Sequence, residues 1–393
     1  MDTESAKTVW PERLAVAALV ILAFFGPAAS VISRVVLGVM VPVVAVFCLP
    51  FVISVRPSLP SRPVCVAILV FLALLWFGVL NTAGPQDRVL HFAFSSAGLL
   101  VATLVLLSTV LSLPFRHGSR VLEALEAGVA LCGLGMVVEW QCGQPLTGLT
   151  ATLAGNAVPK LYKLDRAIVI GTLLLWPVIA RLWLGGASLW RISAVILGTV
   201  VLVVPTSSQA SAGALVFGLA AFFVASSFPR LASWGLRLAV YVGLTGAPFL
   251  HMIVNRMPGT EFFFFHNANA NARIRIWNET VIRIMENPWT GHGIESGFLA
   301  STSYLHPHNG PLQVWLEFGL VGAILLALFM GWLVRQMDRA GGRVRPVAQA
   351  AFVSWLLIFS VGYDIWQAWW QATAVFLVVM LVLAARLERQ AAS

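Results

Sequence analysis

The sequence predicts an all-α polytopic membrane protein of about twelve spans, with one membrane-embedded domain filling residues 1–393. Three observations predict it. Of the 393 residues, 59% are hydrophobic and 10% charged, where a soluble globular domain carries about 25% charged residues. Mean hydropathy is +0.88. Apolar runs of the length needed to cross a bilayer, about 20 residues, recur from one end of the chain to the other. The runs are continuous and do not alternate with polar residues, which excludes a porin-type barrel. The same composition excludes a soluble two-domain enzyme, a disordered chain, a collagen and a disulfide scaffold.

The spans are expected near 14–33, 35–55, 64–81, 90–113, 121–140, 167–184, 189–205, 211–228, 232–254, 311–334, 347–363 and 368–386. Arg13 before the first run and Ala28, Ala29 and Ser30 after it imitate a signal peptide, but the run's length suits a spanning helix. The turn after it is short enough that the first two runs are alternatively one re-entrant pair. The 121–140 run contains Glu123, Glu126 and Glu139, all of which can sit near the ends of a span. Cys48, Cys65, Cys132 and Cys142 show no CxxC spacing; three of them lie in apolar runs, where Cys behaves as a small hydrophobe, and a Cys132–Cys142 disulfide is the disfavoured alternative because Cys132 is expected well inside the bilayer.

The net charge of +9 does not indicate nucleic acid, because the basic residues sit singly or in pairs between apolar runs and form no stripe. They act as topology signals. With twelve spans and both termini cytoplasmic, 16 of the 25 Lys and Arg fall on the cytoplasmic side and nine outside. Seven of those nine crowd into two outer loops: Lys160, Lys163 and Arg166 in one, Arg256, Arg273, Arg275 and Arg283 in the other.

In the first loop, Lys160, Lys163 and Arg166 share one helical face by their three-residue spacing. Two readings stand: anchoring to anionic headgroups, or a cationic site for phosphate at the membrane surface. The second loop, 255–309, is the longest polar stretch, and it makes one large periplasmic loop between the ninth and tenth spans. Its aromatic run 262–265 suits the interface. An amphipathic helix follows from Arg273 to Glu286, with Ile274, Trp277, Val281 and Met285 as its apolar stripe. Glu279 lies four residues from both Arg275 and Arg283 and can pair with either; Arg273 has no such partner on the helix. Asn287-Pro288 ends it. Gly291-His292-Gly293 is a turn, and His306-Pro307-His308-Asn309 precedes the tenth span. A histidine at the outer mouth of a bundle suits a general base, because its ordinary pKa of about 6.5 lies near working pH. No HxxxH or HExxH pair and no loop cysteine supports a metal site, and no cofactor is expected.

The segments RIRIWNETVIRIMENPWTGHGIESGF (273–298) and HPHNGPLQVWLEFGLVGAILLALF (306–329) resemble the signature region of the O-antigen ligase and polymerase superfamily. These are bacterial inner-membrane enzymes with about twelve spans and a large periplasmic loop before a late helix. The resemblance implies metal-independent glycosyl transfer from a glycan on a polyprenyl diphosphate, presented at the periplasmic face, to an acceptor hydroxyl. The acceptor would be a lipid A core or a growing polysaccharide, with polysaccharide assembly proteins as partners. It also implies His308, Arg273 and Arg166 as catalytic residues. His306, Asn309, Glu317, Arg275 and Lys163 are the expected substrate contacts. Asp165 stands where the family often has Asn, and Gln209, in TSSQAS, where it often has Arg.

The chemistry agrees with this reading. A diphosphate leaving group gathers negative charge that fixed guanidinium groups can hold bidentately, and a hydroxyl nucleophile benefits from a base. Glu317 lies inside the tenth span, and a costly intramembrane carboxylate suggests a site; it is expected to pair with Arg166 or Arg273 or to orient His308. Asp364 and the three tryptophans near it read as an aromatic belt or a sugar platform, and Gly319 and Gly322 as points of close helix approach. The alternatives are a polymerase joining carrier-linked units and, in a different class, a transporter or lipid flippase. The latter predicts an internal repeat and midplane charges, neither of which is visible.

Overall fold

The structure is a computed structural model that describes residues 3–33, 35–57, 62–82, 84–153, 162–206, 208–256, 268–296 and 306–392. Among these there is no strand. The helices are α1 (Thr3–Ala29), α2 (Val36–Val55), α3 (Arg62–Leu80), α4 (Gln86–Ser112) and α5 (Phe115–Gln141). They continue with α6 (Pro145–Leu153), α7 (Tyr162–Leu184), α8 (Leu189–Val203), α9 (Gln209–Ser227) and α10 (Pro229–Thr245). The last are α11 (Ala247–Arg256), α12 (Ala268–Glu286), α13 (Gly310–Ala340), α14 (Val344–Val361) and α15 (Ala368–Ala392).

Among the described residues, ten helices are long and apolar enough to cross a membrane, and a bent pair could make an eleventh. Two expected spans differ from a simple crossing. The seventh, α8, has 15 residues and reaches about 22 Å, short of a ~30 Å hydrocarbon core. The ninth is broken at Gly246, where α11 turns 84° away from α10. The first two runs form separate helices of spanning length.

Helix α7 is the central post. It is apolar nearly all round, with 83% of its spanning window buried, as expected for a helix enclosed by others. It packs against α1, α5 and α15 on one side and α9 and α14 on the other, with α8 alongside. Its core is Val169, Ile170, Leu173, Leu174, Trp176 and Ile179. Small residues permit the closest crossings: a side chain at Gly128 of α5 would run into the backbone of Ala23 and Phe24 in α1. At the other extreme, only 17% of the α3 window is buried, and its main helix neighbours are α4 and α13. Exposed apolar side chains such as Val46, Leu69, Leu197, Phe217 and Leu238 cover the outside of the bundle, where lipid solvates them at no cost.

Candidate functional site

The site is built around a helix that does not run straight. Gly319 in α13 has φ 61° and ψ −159°, so two helical segments meet there. An unbroken helix would bond the N–H of Leu320 to the carbonyl of Leu316, and that of Val321 to Glu317. The loop after α12 takes over both halves of these pairs. The N–H groups of His292 and Gly293 donate to the carbonyls of Leu316 and Glu317 at 2.8 and 2.9 Å. Those of Leu320 and Val321 donate to Pro288 and Trp289 at 2.8 and 3.2 Å. Four backbone groups that would cost several kcal/mol each if left unsatisfied away from water are thereby paired. The strap explains its glycines. A side chain at Gly319 would overlap the Trp289 backbone, and one at Gly291 (φ 70°) the Glu317 backbone. Gly319 therefore breaks the helix, which differs from the helix-packing role expected of it.

The strap also holds α3 and α4. The N–H of Ile294 donates to the Gly78 carbonyl at 3.1 Å, the Thr82 hydroxyl donates to the Ile294 carbonyl, and Arg88 pairs with Glu295 at 3.0 Å.

The histidine loop lies at the start of α13. Asn309 is the helix N-cap, its Oδ1 accepting from the Leu312 N–H at 3.0 Å, as Asn characteristically does. His308 has φ 54°, a left-handed conformation that costs a non-glycine residue about 1–2 kcal/mol. Two contacts hold the loop in place. Nδ1 of His308 lies 3.1 Å from the Gly362 carbonyl, and the Trp277 indole N–H of α12 donates to the Pro307 carbonyl at 2.8 Å. Because a carbonyl only accepts, Nδ1 carries the proton and Nε2 is the basic nitrogen. The His306 ring stands 4.0 Å from that of His308. Burial, then His306, then Arg273 push His308 down to about 4; burial likewise takes His306 to about 4.

Both arginines expected to be catalytic lie within electrostatic reach of Tyr363. The Arg166 guanidinium lies 5.2 Å from the Trp369 ring centre and 6.0 Å from that of Tyr363. Its helix is the central post, so its position is fixed by packing. The charges of both Arg166 and Arg273 act on Tyr363, and that of Arg273 acts on His308 as well. Burial nevertheless dominates at Tyr363 and pushes its hydroxyl up to about 12.

Behind the histidine lies a buried polar network. Glu317 is 2% exposed, Asp364 5% and Gln313 1%. Gln313 Nε2 donates to Glu317 at 3.0 Å and to Asp364 at 2.7 Å. The Trp366 indole donates to Glu317 at 2.7 Å, and the Trp366 backbone N–H to Asp364 at 3.0 Å. Burial raises the Asp364 carboxyl above its usual range, while Gln313 and Trp366 lower it. Glu317 thus finds neutral donors and not the arginines expected, because Gln313 lies one turn before it on the same face of α13. Trp366, Trp369 and Trp370 are at most 4% exposed; they are core residues, neither belt nor sugar platform.

The remaining expectations divide. Helix α12 runs from Ala268, and its buried face is Ile276, Thr280, Val281 and Ile284, rotated from the predicted stripe; Met285 is 40% exposed. Arg275 is exposed, two residues on from Arg273 and so on the far side of the helix. Lys163 belongs to α7, but its side chain, like Lys160 and the 262–265 run, lies outside the described residues. Gln313, Tyr363, Gly362 and Trp277 were not singled out as site groups. The polar pair Gln313 and Glu317, four apart in an apolar run, was the available signal for the first.

Comparison with known proteins agrees with this layout. Residues 192–327 match the family model described as O-antigen ligase. Three curated relatives carry the name "Putative polysaccharide ligase". That of Rickettsia conorii is 26% identical over 69% of this chain and 69% of its own length. That of Rickettsia typhi is 24% identical over 80% and 79%, and that of Rickettsia bellii 26% over 72% and 72%. The matched segment runs from the short helix α8 through the strap and the histidine loop into the second half of α13, and with these relatives it supports a likeness to the O-antigen ligase superfamily.

Proposed function

We propose that the protein transfers a glycan from a polyprenyl diphosphate carrier to an acceptor hydroxyl at the outer face of the bacterial inner membrane. The observations that support this most are Arg166 over the Tyr363 ring, His308 bonded to the neighbouring Gly362 carbonyl, and the Arg273 charge felt at both His308 and Tyr363. The acceptor oxygen attacks the anomeric carbon, and the bond from that carbon to the diphosphate oxygen breaks. The polyprenyl diphosphate leaves with the bonding electrons, and the hydroxyl proton passes to Nε2 of His308. Arg166 and Arg273 hold the departing charge in place, a preorganised stabilisation of the kind that dominates many enzymatic rate enhancements. Burial and Arg273 keep His308 neutral, and a neutral imidazole is what a base requires. Arg275, on the far side of α12, is left out of this mechanism. The excess of basic residues at the opposite end of the bundle supports cytoplasmic termini.

The test is complementation of a deletion strain with wild type and His308→Ala, resolving carrier-linked and transferred glycan on one gel. Loss of product with accumulation of the carrier-linked form is expected at normal protein abundance. A product still attached to the carrier in wild type assigns polymerisation; identical glycans in both strains remove His308 as the base.

A further inference from the structure

Helix α11 has no place among the spans and none in the chemistry. It follows α10, whose 17 residues rise about 25 Å, less than a full crossing. The end of α10 is fixed: the Trp315 indole donates to the Leu244 carbonyl at 2.8 Å. Trp315 is five residues into α13, about 7 Å along its axis. From that level α11 turns 84° and runs across the bundle.

Its two faces differ. Pro248 is buried and His251 half-buried; His251 Nε2 and, from an exposed position, Asn255 Nδ2 both donate to Asn278 Oδ1 of α12, at 2.8 and 3.1 Å. The His251 ring also meets the Trp277 ring edge-on at 5.7 Å. Phe249, Leu250, Met252, Ile253 and Val254 are 52%, 40%, 38%, 54% and 44% exposed, a broad apolar face. Arg256 ends the same stripe. This apolar face continues the lipid-facing surface of α10, where Trp234, Leu238 and Val242 are exposed.

We infer that α11 lies in the plane of the outer leaflet, with Phe249, Met252 and Ile253 among the acyl chains and Arg256 at the phosphates, and that it sets the depth of the site. A helix in the interface sinks its apolar face roughly 5–10 Å below the headgroups, the depth at which α10 ends. A terminal arginine suits both anionic headgroups and the negative end of the helix. The depth reaches the chemistry through three contacts: α11 to Asn278 and Trp277, Trp277 to the Pro307 carbonyl, and His308 beside it. Arg273 stands one turn before Trp277 on α12. A substrate whose diphosphate is held at headgroup level by its lipid needs its protein groups at that same level. What α11 positions rests on the proposed transfer; where it lies does not.

The experiment uses the full chain with its four cysteines replaced, one molecule per nanodisc of phosphatidylethanolamine and phosphatidylglycerol. Spin labels are placed through Ile253→Cys and Pro248→Cys. Oxygen is expected to reach the label at 253 several-fold better than an aqueous nickel chelate, with the label at the buried position 248 shielded from both. A label at 253 open to nickel, or closed to both reagents because protein covers it, overturns the placement. The depth-setting role is read separately: Phe249→Asp with Ile253→Asp lowers glycan transfer at least tenfold, and Ile253→Leu retains it. Full transfer by the folded double variant overturns that role. A lipid-buried label in a chain with no transferase activity leaves the placement standing and removes the proposed function alone.

Discussion

The two ends of the bundle handle their charged groups differently. At the end where α10 and α14 begin, several charges meet an opposite one or a set of N–H groups. Arg181 pairs with Glu126 at 2.7 Å and Arg237 with Asp338 at 2.6 Å, and the Glu12 carboxylate lies 2.7 Å from Nδ1 of His117. Glu388 accepts the N–H groups of Arg343 and Val344 at 2.6 and 3.1 Å. At the other end, Arg166 lies over aromatic faces, and Glu317 and Asp364 are held by the neutral donors Gln313 and Trp366. Pairing serves the fold and largely completes each group's interactions. Arg88 and Glu295 pair at this end too, so the contrast is confined to the polar groups around Tyr363 and the start of α13. It supports placing the proposed site there.

Substitutions at the two ends should therefore fail in different ways. The largest effect is expected from Gly319→Ala, which puts a side chain into the Trp289 backbone at a left-handed position. The loss is about 3 kcal/mol or more, read as a collapse of folded protein in detergent before any assay of glycan. Normal thermal stability would show that the strap tolerates a side chain. His308→Ala is expected to lower transfer by about 10²–10⁴-fold, the range for a general base, with the melting temperature unchanged. Arg273→Lys keeps a point charge and loses the planar fork, and about a tenfold loss in kcat is expected; equal rates would reduce its role to charge alone.

The pH profile tests the burial of the histidine loop. His308 is held at about 4, below its ordinary value, so the base form persists as pH falls through 6.5 and is lost only near pH 4. The acid limb of kcat/KM should lie there; a limb near 6.5 would place His308 in water. The smallest effect is expected from Asp338→Ala at the paired end. Removing the partner of Arg237, Ser233 and Gln349 costs about 1–3 kcal/mol of stability and leaves transfer per folded molecule unchanged. A matching loss of transfer would erase the contrast between the ends.

Much of this was legible in the chain, and the unreadable parts share a cause. The end of α12 before Pro288 followed from proline chemistry; the gathering of histidine and arginine in a polar loop was visible by residue type, and the family resemblance singled out His308 and Arg273 within it. The turn of α11 was hidden because its apolar residues continue those of α10, and hydropathy does not register direction. The break at Gly319 was hidden because its remedy, the strap, lies some thirty residues earlier. The GYDIWQAWW tryptophans read as interfacial because their neighbours are polar, yet Trp370 and Trp369 pack beneath Tyr363.

By itself the sequence determined that the chain lives in a membrane, roughly where its spans fall, and which loops gather histidine and arginine. Those are sums of local transfer free energies over about twenty residues, and any packing of the helices preserves them. Only the tertiary structure decided that Arg166 lies over Tyr363 and Trp369, that Glu317 binds Gln313 and Trp366, and that Arg275 is exposed. Those outcomes depend on how each helix is rotated about its axis and which neighbour it meets. A rotation of 100° per residue exchanges a site residue for a surface one without changing the hydropathy at all.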